Sequence, residues 1–406
     1  MASTIQVLSD EHPVSVAQWL IAITCGLIVF VDGFDAQAMG FVTPAVIAQL
    51  HVTRPVLGSV TSSGLFGMMI GALIFGTAAD RIGRKPILVA STLTFAIGAL
   101  LTATATDVQG LVLFRLFTGL GMGGAMPNAI ALTAESVSPG RRATAVTAMI
   151  CGFSLGAASG GFVAAELIPR FGWPSVFVVG GTFPIVISIL AMLVLPSRTI
   201  SVEPELVTPD DAARFPVTRL FSSGRTLVTL MIWVIYFMNL LVLYFVNSWL
   251  PTIMNDSGIA LATANRVTAM FQLGGVTGAV LLSRARPSFG LLAGVFAWAA
   301  IWIIVTGVAG AAVPLLIGSM LATGIGIVGG QNLSHALSSE VYPTGVRATG
   351  LGWALGVGRV GSIVGPLIGG YLLARGGNAE HVLWSAAIPA TIAALAAGTI
   401  AIAHRG

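Results

Sequence analysis

Two carboxylates three residues apart, Asp32 and Asp35, interrupt an apolar run that reads VFVDGFDAQAMGF from Val29 to Phe41. On a helix this spacing places both on one face. Close like charges in a dehydrated setting resist double ionisation, so such a pair can load and release a proton. Two arginines occupy similarly apolar surroundings: Arg115 in RLFTGLGMGG and Arg359 in GVGRVG. A guanidinium meets a carboxylate through two parallel hydrogen bonds. That suits Arg115 to pairing with Asp32 or Asp35, and Arg359 to anchoring an anionic substrate. The competing structural readings are a static ion pair, interhelical hydrogen bonding by the acids, and an acidic core partner for Arg359.

The elements that must position these residues are set by composition. The 406 residues are 56% hydrophobic and 8% charged, with a mean hydropathy of +0.94. A soluble domain carries roughly 25% charged residues, so little of this chain is built to face water. Fifty glycines fit helices that approach closely in a membrane. Runs of about 20 apolar residues are long enough to cross a bilayer. Twelve are read: Gln18–Phe41, Leu57–Ala79, Pro86–Ala105, Gln109–Ala134, Ala143–Ile168, Pro174–Leu195, Thr226–Ile253, Asn265–Ser283, Phe289–Val308, Val313–Leu333, Arg347–Leu373 and Val382–Ala403. A polar stretch rich in Pro and Ser, Pro196 to Gly224, divides them into two sets of six. The expected fold is all-α and integral to the membrane, with a first bundle over 1–195, a cytoplasmic linker over 196–224 and a second bundle over 225–406.

Charge sets the expected orientation. With the N-terminus inside, the cytoplasmic side holds Arg81, Arg84, Lys85, Arg141, Arg142, Arg198, Arg214, Arg219, Arg225, Arg284, Arg286, Arg347 and Arg405. The outer side holds Arg54, Arg170, Arg266 and Arg375. This asymmetry follows the positive-inside rule and puts both termini in the cytoplasm. The formal charge of +4 is spread over short loops, which argues against nucleic-acid binding. Cys25 and Cys151 lie in apolar runs without ligand-like spacing, so neither a disulfide, a metal nor a cofactor is expected. No cleavable signal peptide is read at the N-terminus, and no catalytic constellation suggests an enzyme.

Displacing the chain by 205 residues lays TGLG (Thr118–Gly121) on TGIG (Thr323–Gly326), and ESVSPGRRAT (Glu135–Thr144) on EVYPTGVRAT (Glu340–Thr349). Gly156 and Gly160 then meet Gly361 and Gly365. Repeated six-helix halves are a transporter architecture that handles substrate near the midplane. The departures carry the functional information. Asp32, Asp35, Arg115 and Arg359 fall on Phe237, Leu240, Met320 and Ser154, so each buried charge is absent from its repeat mate. Asp32 and Arg115 lie at depths that match to within a turn when counted at 1.5 Å per residue.

The segment GTAADRIGRKP (Gly76–Pro86), at the turn between spans two and three, together with RLFTGLGMGG in span four, resembles the signatures of the major facilitator superfamily. Within it, DGFD in span one, AMPN (Ala125–Asn128), SWLPTIM (Ser248–Met254), RATG and GVGRVG are similar to the aromatic acid:proton symporter family of bacteria. The second-half counterpart of the cytoplasmic signature, LLSRARPSFG, has Ala285 where the aspartate would stand. The resemblance implies proton-coupled import of hydroxybenzoate-type or phenylpropionate-type carboxylates across the bacterial inner membrane; a monomer is expected. Rival readings are uptake of another organic acid, drug/proton antiport, and a sensor that binds without moving its ligand.

The resemblance implies that Arg115 controls the proton site at Asp32 and Asp35. It also implies that Asp80, Arg81, Gly83 and Arg84 form a latch that holds the inner gate shut while the outer side is open, and helix-dipole reasoning allows Asp80 to meet the positive N-terminus of span eleven. Glu135 and Glu340, at matching cytoplasmic ends and followed by Arg142 and Arg347, are read as gate or loop salt bridges in preference to proton carriers. Around Arg359, the aromatic walls are expected from Tyr236, Tyr244, Trp249 and Trp353. Asn128, Asn239, Asn247, Gln272, Gln331 and Asn332 supply polar groups for ring substituents. His335 reads as a solvated helix-end histidine, and Glu166 as interfacial.

Overall fold

The structure of the chain, a computed structural model, describes residues 16–137, 142–195, 217–221, 225–375 and 378–403. Twelve long helices account for nearly all of them: α1 (Val16–Leu50), α2 (Arg54–Ile82), α3 (Arg84–Ala103), α4 (Val108–Ser136), α5 (Arg142–Phe171), α6 (Pro174–Val194), α7 (Thr226–Asp256), α8 (Leu261–Leu282), α9 (Phe289–Val308), α10 (Val313–Val341), α11 (Thr344–Ala374) and α12 (Ala379–Ala403). No strand occurs among the described residues. Hydrocarbon offers no hydrogen bonds, and a helix satisfies its own backbone groups. Pro44, Pro127, Pro251 and Pro366 nevertheless stand inside helices, where neighbouring helices and side chains can satisfy the backbone groups a proline frees.

Several helices outrun the apolar stretches that announce them. α1 continues past Phe41 to Leu50, and α10 past Leu333 to Val341. The apolar run marks the part that meets lipid, whereas the helix continues until the chain must turn. At α1 that turn is His51, in the left-handed region at φ 51°. α4 and α9 start on side-chain caps, with Gly110 N donating to Asp107 Oδ1 at 2.7 Å and Leu291 N to Ser288 Oγ at 3.1 Å. Such caps satisfy otherwise orphaned donors.

Eleven of the twelve helices are long and apolar enough to cross a membrane; α8 falls short. Its sequence is diluted by Asn265, Arg266 and Gln272, but Asn265 and Gln272 are buried in the protein. The outward faces elsewhere carry large apolar side chains, among them Leu73, Leu193, Leu395 and Ile402. That distribution suits lipid as the surrounding solvent.

The helices form two six-membered bundles, α1–α6 and α7–α12, with matching internal packing. α2 packs on α4 and α1 on α5 in the first, as α8 packs on α10 and α7 on α11 in the second. The repeated glycines are the means of approach. A Cβ on Gly156 would overlap the carbonyl oxygen of Phe30, and one on its mate Gly361 would overlap that of Phe237. Gly33, between the two aspartates, meets Phe153 O just as closely. Only residues without side chains permit this contact, and it fixes the rotation of α1 and so the direction of Asp32 and Asp35.

The ends of the bundles are distinguished here as the basic end, which carries the Ile82–Lys85 turn, and the opposite end, which carries Arg54. Most of the expected linker, with Arg141, Arg198, Arg214, Arg405 and the N-terminal fifteen residues, lies outside the described residues. The described part of the linker is a 3-10 turn, Thr218–Phe221, tied to α7 by Thr229 Oγ1 donating to Leu220 O at 2.9 Å.

Candidate functional site: charged groups at the divide between bundles

Asp35 and Arg115 form a buried, two-pronged ion pair. Arg115 Nη1 lies 2.9 Å from Asp35 Oδ2 and 3.2 Å from Oδ1, and Nη2 reaches the Asp35 carbonyl oxygen at 3.4 Å. Both side chains are almost wholly removed from solvent. The guanidinium carbon also lies 5.5 Å from the centre of the Phe177 ring, a favourable cation–π placement. Arg115 therefore selects Asp35 of its two candidate partners.

Asp32, one turn earlier on α1, is 2% exposed, and its Oδ1 has no hydrogen-bond partner among the described residues. It lies within electrostatic reach of Asp35 and of Arg359, which belongs to the other bundle. The Tyr244 hydroxyl faces the same guanidinium. Arg359 Nη1 points across the divide at Met68 Sδ, 3.0 Å away. No ion pair involves Arg359 among the described residues. A thioether is a weak acceptor for a group with five N–H donors. Asp32, Tyr244, Met68 and Arg359 thus bring α1, α7, α2 and α11 to one point, with a guanidinium that lacks a strong acceptor.

The α7 face that carries Tyr236, Asn239, Tyr244 and Asn247 lines the second bundle's side of this region, and all four are buried. Gln272 Nε2 donates to Asn247 Oδ1 at 3.1 Å, while Asn239 Oδ1 and Asn247 Nδ2 have no partner among the described residues. Buried amides without partners are rare enough to suggest a ligand or ordered water. Gln331 and Asn332 are half-buried on α10. Asn128 donates to Gly124 O of its own helix at 2.8 Å, which occupies its amide nitrogen locally.

Three expectations change. Trp353 is 47% exposed and stacks on Trp233 with centroids 5.7 Å apart, so it decorates a face turned away from the cluster. Its place on α11, six residues from Arg359, points it along another helix face. Trp249 is fully buried between α7 and α11, donating Nε1–H to Pro366 O at 2.8 Å, and serves as internal packing. His335, read as solvated, has its Nδ1 2.9 Å from Tyr236 Oη. Met68 and Gln37 were not singled out in the sequence. A thioether and a lone amide (Gln37 Nε2 is buried without a partner) give no pattern above their apolar surroundings.

The bundles are joined at the opposite end. Arg54 Nη2 contacts Asp256 Oδ2 at 2.6 Å, and Arg266 contacts Glu166, which Arg170 also approaches. Ser62 Oγ donates to Ile363 O at 2.7 Å and Asn265 Nδ2 to Phe41 O at 3.4 Å. Glu166 is thus a tie between the bundles. Toward the basic end α11 turns outward-accessible, with Gly352, Leu355 and Gly356 exposed.

The proposed latch residues remain on separate partners. Arg84 Nε donates to Glu135 Oε1 at 2.8 Å within the first bundle. Glu135 thus forms a salt bridge with Arg84, while Arg142 is exposed. Arg347 Nε donates to Tyr342 O at 3.2 Å. Asp80 and Arg81 are exposed at the end of α2, with no hydrogen bond or ion pair among the described residues. On the cleft between the bundles toward the basic end, Gly76 of α2 and Gly352 and Gly356 of α11 face open space. Gly83, at φ 102°, makes the sharp turn from α2 to α3 that a side chain would strain.

Two pseudo-repeated bundles enclosing buried charges at their divide, joined at one end and parted at the other, define a multi-pass membrane transporter. The family model described as Major Facilitator Superfamily matches residues 25–289 and 232–404, and the chain belongs to that superfamily. It is 40% identical to the 4-hydroxybenzoate transporter PcaK of Pseudomonas aeruginosa, over 97% of this chain and 94% of that protein. It is 36% identical to a gallate transporter of Pseudomonas putida, over 95% and 92% of the respective chains. Among solved structures, the nucleoside transporter NupG superposes with a TM-score of 0.74 at 15% identity, covering 95% of this chain and 99% of that one, a likeness of fold. The relatives are transporters, and this chain is one rather than an enzyme.

Proposed function

We propose that this protein imports an aromatic carboxylate together with protons across the bacterial inner membrane, as a monomer with both termini in the cytoplasm. The observation that carries the reading is Arg359, a guanidinium at the divide with only a thioether and a phenol against it, beside the unpartnered carboxylate of Asp32. The relatives named for 4-hydroxybenzoate and gallate support an aromatic acid as cargo. The positive-inside rule assigns the basic end to the cytoplasm, which makes the described conformation the inward-facing one.

In this mechanism the substrate carboxylate binds Arg359 through two hydrogen bonds, displacing the weak Met68 contact. An anion arriving beside Asp32 is repelled unless that carboxyl carries a proton, so substrate and proton load together. Arg115 holds Asp35 in its charged pair and limits the exchangeable site to Asp32. Rocking of the bundles then forms the ties at the opposite end and releases contacts at the basic end, so that both cargoes leave inward. Asp80, Arg81, Arg84 and Glu135 belong to that second set of contacts.

Proteoliposomes holding the purified protein, acidified outside, test this with labelled 4-hydroxybenzoate, 3-phenylpropionate and an aliphatic acid. Accumulation of an aromatic acid that collapses with the pH gradient is expected. Accumulation insensitive to the gradient removes the coupling, and preference for the aliphatic acid removes the cargo.

A further inference from the structure

His335 is a polar side chain of the cleft that the scheme above leaves without a task. It is half-buried on α10, its ring edge-to-face with Tyr236 at 5.3 Å between centroids, and its Nδ1 is 2.9 Å from the Tyr236 hydroxyl. Tyr236 is 3% exposed, and Ser338, on the same face of α10 as His335, also reaches its hydroxyl. The phenol is therefore held by two α10 side chains, and the imidazole is oriented through Nδ1. The other ring nitrogen is left for a ligand. Arg359 lies within electrostatic reach of the imidazole.

We propose that the Tyr236–His335 pair is the subsite for a ring hydroxyl at the end of the substrate remote from its carboxylate, with Arg359 receiving the carboxylate. This rests on the cleft taking an aromatic carboxylate, and it narrows that class to acids hydroxylated opposite the carboxyl group. Of the other side chains around Arg359, Met68 is apolar, Tyr244 faces the guanidinium itself, and Asn239 and Asn247 lie along the α7 face. An apolar wall discriminates weakly between a ring bearing a hydroxyl and one without it. A site built to hydrogen-bond a hydroxyl rejects the analogue lacking it, because its own polar groups are then left without a partner. A neutral imidazole offers one donor and one acceptor nitrogen, and a phenol offers both functions. The pair can therefore receive a phenolic hydroxyl in either sense.

The test is the ratio of dissociation constants for benzoate and 4-hydroxybenzoate, measured calorimetrically on purified wild type, His335→Phe and Tyr236→Phe. One neutral hydrogen bond corresponds to a preference of about tenfold for 4-hydroxybenzoate in the wild type. Both variants are expected to bring the ratio close to one while benzoate affinity stays within about twofold. Tyr236→Phe keeps the ring packing and decides the matter if His335→Phe does not fold. A wild-type ratio near one, an unchanged ratio in Tyr236→Phe, or equal loss of both acids overturns the subsite and leaves the aromatic-acid reading standing. Failure of the wild type to bind either acid instead overturns the reading on which the subsite rests.

Discussion

Arg359 on α11 aims a guanidinium nitrogen at the sulfur of Met68 on α2, 3.0 Å away across the divide between the bundles. A strong donor is thereby held against a weak acceptor, in a place where an internal carboxylate would have been simple to provide. Met68→Glu supplies that carboxylate. The variant is expected to fold and to bind aromatic acids at least tenfold more weakly, since the substrate must displace a charged partner worth about 1.5–3 kcal/mol. Calorimetric titration checks it; undiminished affinity would remove Arg359 as the anchor.

Arg359→Ala is expected to abolish measurable binding, a loss of about 2–5 kcal/mol for truncating one partner of a buried charge pair. Arg359→Lys keeps the charge and loses the fork, so it is expected to fall between the two. Equal affinities for the lysine and wild-type proteins would show that charge alone suffices.

The two span-one acids are expected to behave differently. Asp35→Asn strands the Arg115 charge in a buried site, which costs about 3–5 kcal/mol, so lowered thermal stability in detergent is the expected outcome. Asp32→Asn removes no ion pair and is expected to leave stability intact while abolishing accumulation driven by a pH gradient. Equal melting temperatures for the two variants would contradict this assignment.

The ties at the opposite end are partly exposed ion pairs, each worth under about 1 kcal/mol. Neutralising both, as Glu166→Gln with Asp256→Asn, is expected to shift the conformational balance several-fold toward opening at that end. Labelling of a cysteine introduced at Ser62, in a background lacking Cys25 and Cys151, reads this from the outside. An unchanged labelling rate would show that the apolar packing of α2 on α11 carries the closure.

Gly156 admits the Phe30 carbonyl into the space a side chain would fill. Gly156→Val is expected to push α1 from α5, turn Asp35 away from Arg115 and lower folded yield. Size-exclusion chromatography of the solubilised protein measures it, and a wild-type profile would show that the crossing can relax.

The residues alone determined the helical membrane class, the positions of the spans, the two-fold repeat and the short set of buried charges. These follow from hydropathy and from the expense of charge in lipid, both local properties of the chain; α9 runs from Phe289 to Val308 in structure as in sequence. The partners were decided only in three dimensions. Asp32 and Asp35 share a face and a depth, and nothing in their spacing says that Arg115 takes the second. That choice comes from the rotation of α1 fixed by Gly33 and Gly156 against α5. Likewise, the inward turn of His335 onto Tyr236 and the outward turn of Trp353 onto Trp233 depend on how α7, α10 and α11 are rotated about their axes. A linear pattern records which residues share a helix face, but the neighbour each face meets is set by close packing among helices far apart in the chain.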